Sequence, residues 1–303
     1  MTPPTEFDPP VGVAQDMGRG IRRVLAPNPS PMTFRGTNTY LLGERGLAVI
    51  DPGPDDPAHL DAILGAVGAG QRITHILVTH AHLDHSPLAR RLADATGAPV
   101  LAYGEARAGR SAAMTRLAAG GLRDGGEGLD LAFRPDAALR DGAEIAGDGW
   151  TLRAHWTPGH LGNHMCFAGR GAVFTGDLVM GWASSLVSPP DGDLTDFMAS
   201  CARLKSVEAE VFHAGHGAPI EAPGARLDWL IAHRQGREAE ILAALGRGTA
   251  TARQLAQAIY AETPANLLPA ATRNVLAHLI DLIGKDRVRA LDPLSADARF
   301  ERC

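Results

Sequence analysis

Thr79-His80-Ala81-His82-Leu83-Asp84-His85 places three imidazoles and a carboxylate in seven residues, directly after the apolar run 73–78. Only 12 histidines occur among 303 residues, so three within six positions mark a site rather than scatter. So dense a set of nitrogen and oxygen donors is costly to assemble unless a divalent cation holds it together. Imidazole and carboxylate suit zinc, with iron or manganese as alternatives. In an extended chain His80 and His82 point the same way. Asp84 and His85 must then lie in a turn, where one of them can face a second ion. The competing reading, a polar loop with unrelated histidines, is the weaker one.

Three later sites extend the pattern. His160 closes Thr157-Pro158-Gly159-His160, where a Pro-Gly turn after a strand can aim an imidazole at a sheet edge. Asp177 closes Phe174-Thr175-Gly176-Asp177, again at a strand end. His216 lies in Ala214-Gly215-His216-Gly217, whose glycines let backbone approach closely. Each alone is weak, since a lone loop histidine is more often a surface residue. Together with the first stretch they make five histidines and two aspartates. That is the right number for two adjacent ions, a bridging carboxylate and room for water.

Periodicity around these sites predicts alternating strands and helices. Residues 39–42 and 47–50 read as a hairpin around Gly43-Glu44-Arg45-Gly46, its second strand stopped by Asp51-Pro52-Gly53, after a proline-rich opening to about residue 31 with a short strand at 21–26. Helices are expected over 59–67 and 88–96, with strands at 73–78 and 99–103. The Ala-, Arg- and Gly-rich stretch 105–128 reads as helical with a loose end. Strands follow at 144–145, 150–156, 165–168 and 172–175. A loop at 179–192 precedes a helix opened by Thr195 and running through Leu204, and 210–213 reads as the last strand of the main unit. Three helices then follow, 227–245, 251–260 and 267–283, with a short closing strand. This division gives a first domain over 1–226 and a helical, winged-helix-like one over 227–303.

Apolar residues at 45% and charged residues at 21% are ordinary for a globular chain. A net charge of -5 gives no global field that would draw nucleic acid, although a local basic groove needs only a patch. Three widely spaced cysteines argue against a disulfide framework. The opening residues lack a basic, apolar leader, and no apolar run reaches membrane length. A cytoplasmic protein with no membrane association is the expectation.

The order HxHxDH, TPGH, GD and GHG resembles the metallo-beta-lactamase superfamily over roughly residues 20–222. The resemblance implies an α+β fold, a four-layer αββα sandwich. It also implies a first metal on His80, His82 and His160, a second on Asp84, His85 and His216, and Asp177 between them. Gly36-Thr37-Asn38-Thr39-Tyr40-Leu41, the Arg234/Glu238 region and the terminal helices resemble the lactamase beta-like subfamily with a C-terminal winged helix. Relatives in that group include a mitochondrial single-strand endoribonuclease and thioesterases of aromatic polyketide pathways. Glyoxalase II and quorum-quenching lactonases share the metal core. The long insertion that processing ribonucleases of the superfamily carry between the positions of Asp177 and His216 is absent here.

The expected activity is therefore hydrolysis by a hydroxide held between two divalent ions, zinc in the first instance. Asp84 is the residue expected to orient the water and take its proton, and His164 is a candidate proton donor. Ser86 reads as a turn residue, and Asn38 as a backbone-orienting one. Trp182, Ser184 and Ser185 are candidates for the pocket wall, and Met180, Trp182, Leu186 and Val187 for an apolar acyl cleft. A small-molecule ester, thioester or lactone ranks first as substrate. RNA ranks second, with Arg107, Arg110, Arg116, Arg123, Arg287 and Arg289 as its candidate contacts. A non-enzymatic nucleic-acid-binding or scaffold protein ranks third, because all seven donors are intact. The terminal module is open to nucleic-acid binding or to pairing two copies as a homodimer. Beta-lactam hydrolysis is disfavoured on grounds of compartment.

Overall fold

The computed structural model describes residues 7–123 and 128–303. Seven strands form the first sheet in chain order: β1 (Gln15–Asp16), β2 (Ile21–Leu25), β3 (Asn38–Leu42), β4 (Gly46–Ile50), β5 (Arg72–Leu77), β6 (Val100–Ala102) and β7 (Ala137–Ala138). β1 to β4 are antiparallel, and β4 to β7 are parallel. Parallel neighbours need crossovers. These carry α1 (Pro57–Gly65), α2 (Leu88–Thr96) and α3 (Ala112–Ala119). The second sheet runs in reverse spatial order and contains β8 (Glu144–Ala146), β9 (Thr151–Trp156), β10 (Met165–Gly169), β11 (Ala172–Gly176) and β12 (Val211–Ala214). Its one parallel pair, β11 with β12, is bridged by α4 (Leu194–Leu204).

Side-chain alternation along the strands explains the layers. Successive strand residues face opposite sides of a sheet. Leu41, Leu47, Val49 and Ile76 therefore face outward onto Ile63 of α1 and Leu88 and Leu92 of α2. Tyr40, Leu42, Ala48, Ile50 and Leu77 face inward and meet Leu152, Ala154, Met165, Phe167 and Phe174 of the second sheet. On that sheet's far side, Cys166 and Val173 pack under Phe197, Cys201 and Leu204 of α4. Three apolar seams separate helices, sheet, sheet and helices, which is the expected αββα sandwich.

The chain continues through α5 (Pro223–Leu245), β13 (Ala250–Thr251), α6 (Ala252–Ile259), α7 (Leu268–Gly284), β14 (Val288–Ala290) and β15 (Arg299–Arg302), with the last three strands paired as β13-β15-β14. Thr251 caps α6 in a reciprocal capping box with Gln254, which fixes the helix start expected at that residue. Residue 226, the expected end of the first domain, falls inside α5. Leu227 and Leu230 of this helix pack into the sandwich, while Ile241, Leu242 and Leu245 join the core of the terminal helices.

The expected helix over 105–128 is shorter than its composition implied. Only Ala112–Ala119 is helical, Gly109 turns at φ 73° against the Gly162 backbone, and residues 124–127 lie outside the described structure. A Cβ at Gly109 would stand 2.3 Å from the Gly162 carbonyl, so the turn is tied to that close approach. α4 spans Leu194–Leu204 and is capped two residues before the expected Thr195, by Asp193, which accepts from the Thr195 N–H. Among the described residues, no helix is long and apolar enough to cross a membrane.

His213 lies between the sheets, stacked on Phe174 and tilted against Tyr40, and neither ring nitrogen has a partner. Burial, helped by the charges of Arg23 and Arg19, pushes its pKa down to about 4. The unfolded chain takes up a proton near pH 6.5, whereas the folded one does not. Stability is therefore full above pH 6.5 and is lost as pH falls toward about 4. Thermal unfolding across that window should fall less steeply for His213→Gln than for the parent, and parallel slopes would remove this residue from the acid response.

Candidate metal centre

All seven candidate ligands follow the C-terminal ends of strands at one edge of the sandwich. His80, His82, Asp84 and His85 follow β5, His160 follows β9, Asp177 follows β11 and His216 follows β12. Backbone pairing holds these loops together. Met165 N–H donates to the Thr79 carbonyl at 2.7 Å, and Asn38 N–H donates to that of Gly215 at 2.8 Å. The Asn38 amide also donates to the carbonyls of Ala214 and Gly217, so this residue fixes the His216 loop. Ser86 is a turn residue whose hydroxyl reaches the His82 carbonyl and the Asp130 carboxylate.

Two groups of donors result, one of His80, His82 and His160 and one of Asp84, His85, Asp177 and His216, each within 4.8 Å. In the first, His82 Nδ1 lies 3.0 Å from His80 Nε2 and 3.1 Å from His160 Nε2. Tetrahedral ligands about 2 Å from a zinc ion sit about 3.3 Å apart, so this spacing fits a shared cation. In the second, His216 Nε2 lies 3.3 Å from His85 Nε2 and 3.2 Å from Asp84 Oδ2. Asp177 Oδ2 stands 3.3 Å from His216 Nε2 and 3.9 Å from His160 Nε2, and so faces both groups. Its other oxygen is buried with His85 Nε2 at 3.5 Å as its neighbour among the donors, a spacing that also fits a shared cation.

The outward nitrogens of four rings are anchored. His80 Nδ1–H donates to Thr79 Oγ1, His85 Nδ1–H to Asp51 Oδ2, His160 Nδ1–H to the Leu186 carbonyl and His216 Nδ1–H to the Gly36 carbonyl, at 2.7–3.1 Å. Each anchor fixes the tautomer that turns an Nε2 lone pair inward. Asp51 is the residue that sequence reasoning missed, having been read only as a strand stop. It is buried and also accepts the Thr79 N–H and hydroxyl, each at 2.7 Å. Its φ of +51°, unusual for a non-glycine, was not visible in the sequence.

The two halves differ electrostatically. Burial lowers the pKa of all three histidines in the first group, His82 to about 3. Burial thus favours the neutral imidazole, the form that binds a metal. At His85 and His216 burial acts the same way but is outweighed by neighbouring carboxylates, Asp84 foremost for His85 and Asp177 for His216, which rises to about 9. Asp84 and Asp177 are correspondingly held below the usual carboxylate range, their burial overcome by His85 and His216.

The remaining candidates are spread more widely. His164 is fully buried behind His80, with ring centroids 5.1 Å apart, its Nδ1 on Thr157 Oγ1 and its Nε2 against Gly176. Trp182 is buried on Gly217 and stacks on Phe34 at 5.2 Å. Ser184 is half-buried, whereas the Ser185 hydroxyl is buried and donates to the Leu178 carbonyl. Met180, Trp182 and Val187 belong to cores and Leu186 is half-buried, so the expected apolar cleft does not include the first three. Leu83, inside the HxHxDH loop, is 52% exposed, and Leu131, next to Asp130 whose N–H donates to the Ala81 carbonyl, is 55% exposed.

A layered sandwich with seven imidazole and carboxylate donors at one edge defines a class of metal-binding hydrolase. The metallo-beta-lactamase superfamily pattern matches residues 32–216, and the beta-lactamase associated winged helix domain matches residues 251–293. The chain belongs to the metallo-beta-lactamase superfamily. It is 31% identical to the beta-lactamase-like protein 2 homolog of Drosophila melanogaster, across 92% of each chain. It is 30% identical to the atrochrysone carboxyl ACP thioesterase of Aspergillus fumigatus, across 82% of this chain and 75% of that one. A beta-lactamase domain protein from Burkholderia ambifaria superposes with a TM-score of 0.81 at 22% identity, covering 99% of this chain and 96% of the other.

Replacing Asp51 by Ala would strand the buried His85 and Thr79 donors. Breaking such a buried pair costs about 3–5 kcal/mol. Urea unfolding of the metal-free Asp51→Ala variant should show a loss of that order, and one below about 1 kcal/mol would deny Asp51 its anchoring role.

Proposed function

We propose that the chain is a two-metal hydrolase of small-molecule thioesters, esters or lactones. The observation that carries this reading is Asp177 Oδ2, set between the two donor groups at 3.9 and 3.3 Å. His80, His82 and His160 would hold one ion, Asp84, His85 and His216 the other, and Asp177 would contact both. When bound, a pair of divalent cations supplies Lewis acidity and a nucleophile near neutral pH, with zinc first and iron or manganese as alternatives.

The chain's own residues then divide the work. Asp84 has the most exposed side chain of the donor carboxylates, at 28% against 10% for Asp177. It orients the attacking water and takes its proton. For a thioester, the water oxygen bonds to the acyl carbon, the carbon–sulfur bond breaks, and that proton passes to the leaving thiolate. His164 faces Gly176 and not the solvent, so its placement favours support of His80 over proton donation. Leu83 and Leu131 offer apolar surface to an acyl group. In this reading residues 1–226 carry the chemistry and residues 227–303 the winged-helix module.

The Aspergillus fumigatus relative, named as an acyl-carrier thioesterase, favours the thioester among these substrates. RNA is the weaker alternative because two of its candidate contacts are ion-paired, Arg110 with Asp191 and Arg289 with Glu301, as are other cations of the terminal module. Arg299 pairs with Asp292, and Lys285 with Asp281 and Glu238.

Metal-quantified protein should hydrolyse members of a thioester and lactone panel and leave fluorescent single-stranded RNA intact. Chelation or His82→Ala should abolish turnover, and Asp84→Asn should lower kcat by about 10²–10⁴. RNA cleavage by the parent that His82→Ala abolishes, without acyl hydrolysis, would reverse the ranking.

A further inference from the structure

Arg234, on α5, is buried, and among the described residues no carboxylate accompanies it. Its guanidinium lies 5.1 Å over the Phe197 ring, donates to the Ser185 carbonyl, and donates to Asn274 Oδ1 at 3.0 Å. Taking an unpaired guanidinium out of water is costly, so a buried one is retained where its fixed fork of donors sets geometry. Asn274, on α7, uses the same Oδ1 to accept the Val187 N–H at 3.0 Å. The two side chains thus grip Ser185 and Val187, the residues on either side of Leu186. The Leu186 carbonyl in turn accepts His160 Nδ1–H at 2.7 Å.

We infer that Arg234 and Asn274 are positioning residues through which the helical module holds His160 in its ligand tautomer and orientation. The inference rests on His160 being a ligand, as proposed above. Its logic is that of an outer partner of a metal-binding histidine, one bond further removed. The Leu186 carbonyl fixes the ring, and α5 and α7 fix the carbonyl. The loop after Asp177 meets α5 and α7 at these residues, in addition to its hold on the sandwich, where the Ser185 hydroxyl donates to the Leu178 carbonyl and Val187 packs in the core. Arg226 adds a second hold on the same loop, donating to the carbonyls of Met180 and Ala183 at 2.7 Å. That hold is nearer the start of the loop and does not flank Leu186.

The test is zinc titration of the full-length, metal-free chain against a competing chelator, with thermal unfolding measured in parallel. Asn274→Leu keeps the bulk but removes the acceptor, and is expected to weaken one of two ions about 10–100-fold. Asn274→Asp keeps an acceptor oxygen facing Arg234 and is expected to retain parental affinity. Leu279→Ala opens a cavity in the same module, at a residue buried in its core, and is expected to lower stability while leaving affinity unchanged. Parental affinity in Asn274→Leu, or an equal loss in Leu279→Ala, would overturn the inference. His160→Ala separates the two levels. If it binds both ions normally, the ligand reading fails and takes this inference with it. If it loses one ion while Asn274→Leu retains both, only the positioning role fails.

Discussion

Five imidazole nitrogens and two carboxylates converge at one edge of this molecule, with neighbouring nitrogens only 3.0–3.3 Å apart. Lone pairs pointed at one another do not hold themselves in place. Each ring has to be gripped from behind, and four of the grips come from separate parts of the chain: Thr79, Asp51, the Leu186 carbonyl and the Gly36 carbonyl. The centre therefore requires both sheets, the connections at their shared edge and the loop after β11 to be correctly placed together. Period-two alternation meets this demand economically, because it buries one face of each sheet against the other and leaves the strand ends to carry chemistry.

Electrostatics adds a second constraint. One donor group is neutral, and the other holds carboxylates against histidines whose affinity for protons is raised. The carboxylates sit beside His85 and His216, while only Asp177 reaches across to His160. The asymmetry distinguishes a group of pure imidazoles from a mixed one, so two ions held here would meet different surroundings.

Much of this was legible in the sequence, for identifiable reasons. The candidate ligands announce themselves because few folds tolerate His80, His82, Asp84 and His85 so close together without a purpose. The hairpin of β3 and β4, and α2, were legible because their apolar periods are clean. Asp51 escaped because a strand followed by Asp-Pro-Gly is an ordinary stop, and its role depends on a fold that brings His85 beside it. Leu186 could not be found by residue type at all, since any amino acid offers a carbonyl. Met180, Trp182 and Val187 were misplaced because a hydrophobic loop reads alike whether it lines a cleft or fills a core. The helix expected over 105–128 was cut short by a glycine turn whose requirement lies at Gly162, far along the chain.

The continuity of α5 has a consequence for how the molecule loses its structure. This helix of 23 residues contributes Leu230 to one core and Ile241 to another without a break. At 1.5 Å per residue it is a rod of about 35 Å, with no loop at which the two parts could pivot. Linked domains that share only a flexible tether can melt separately. Here the melting of either core removes the packing that keeps its half of the rod helical. The free energy of one part is thereby felt in the other through the shared helix.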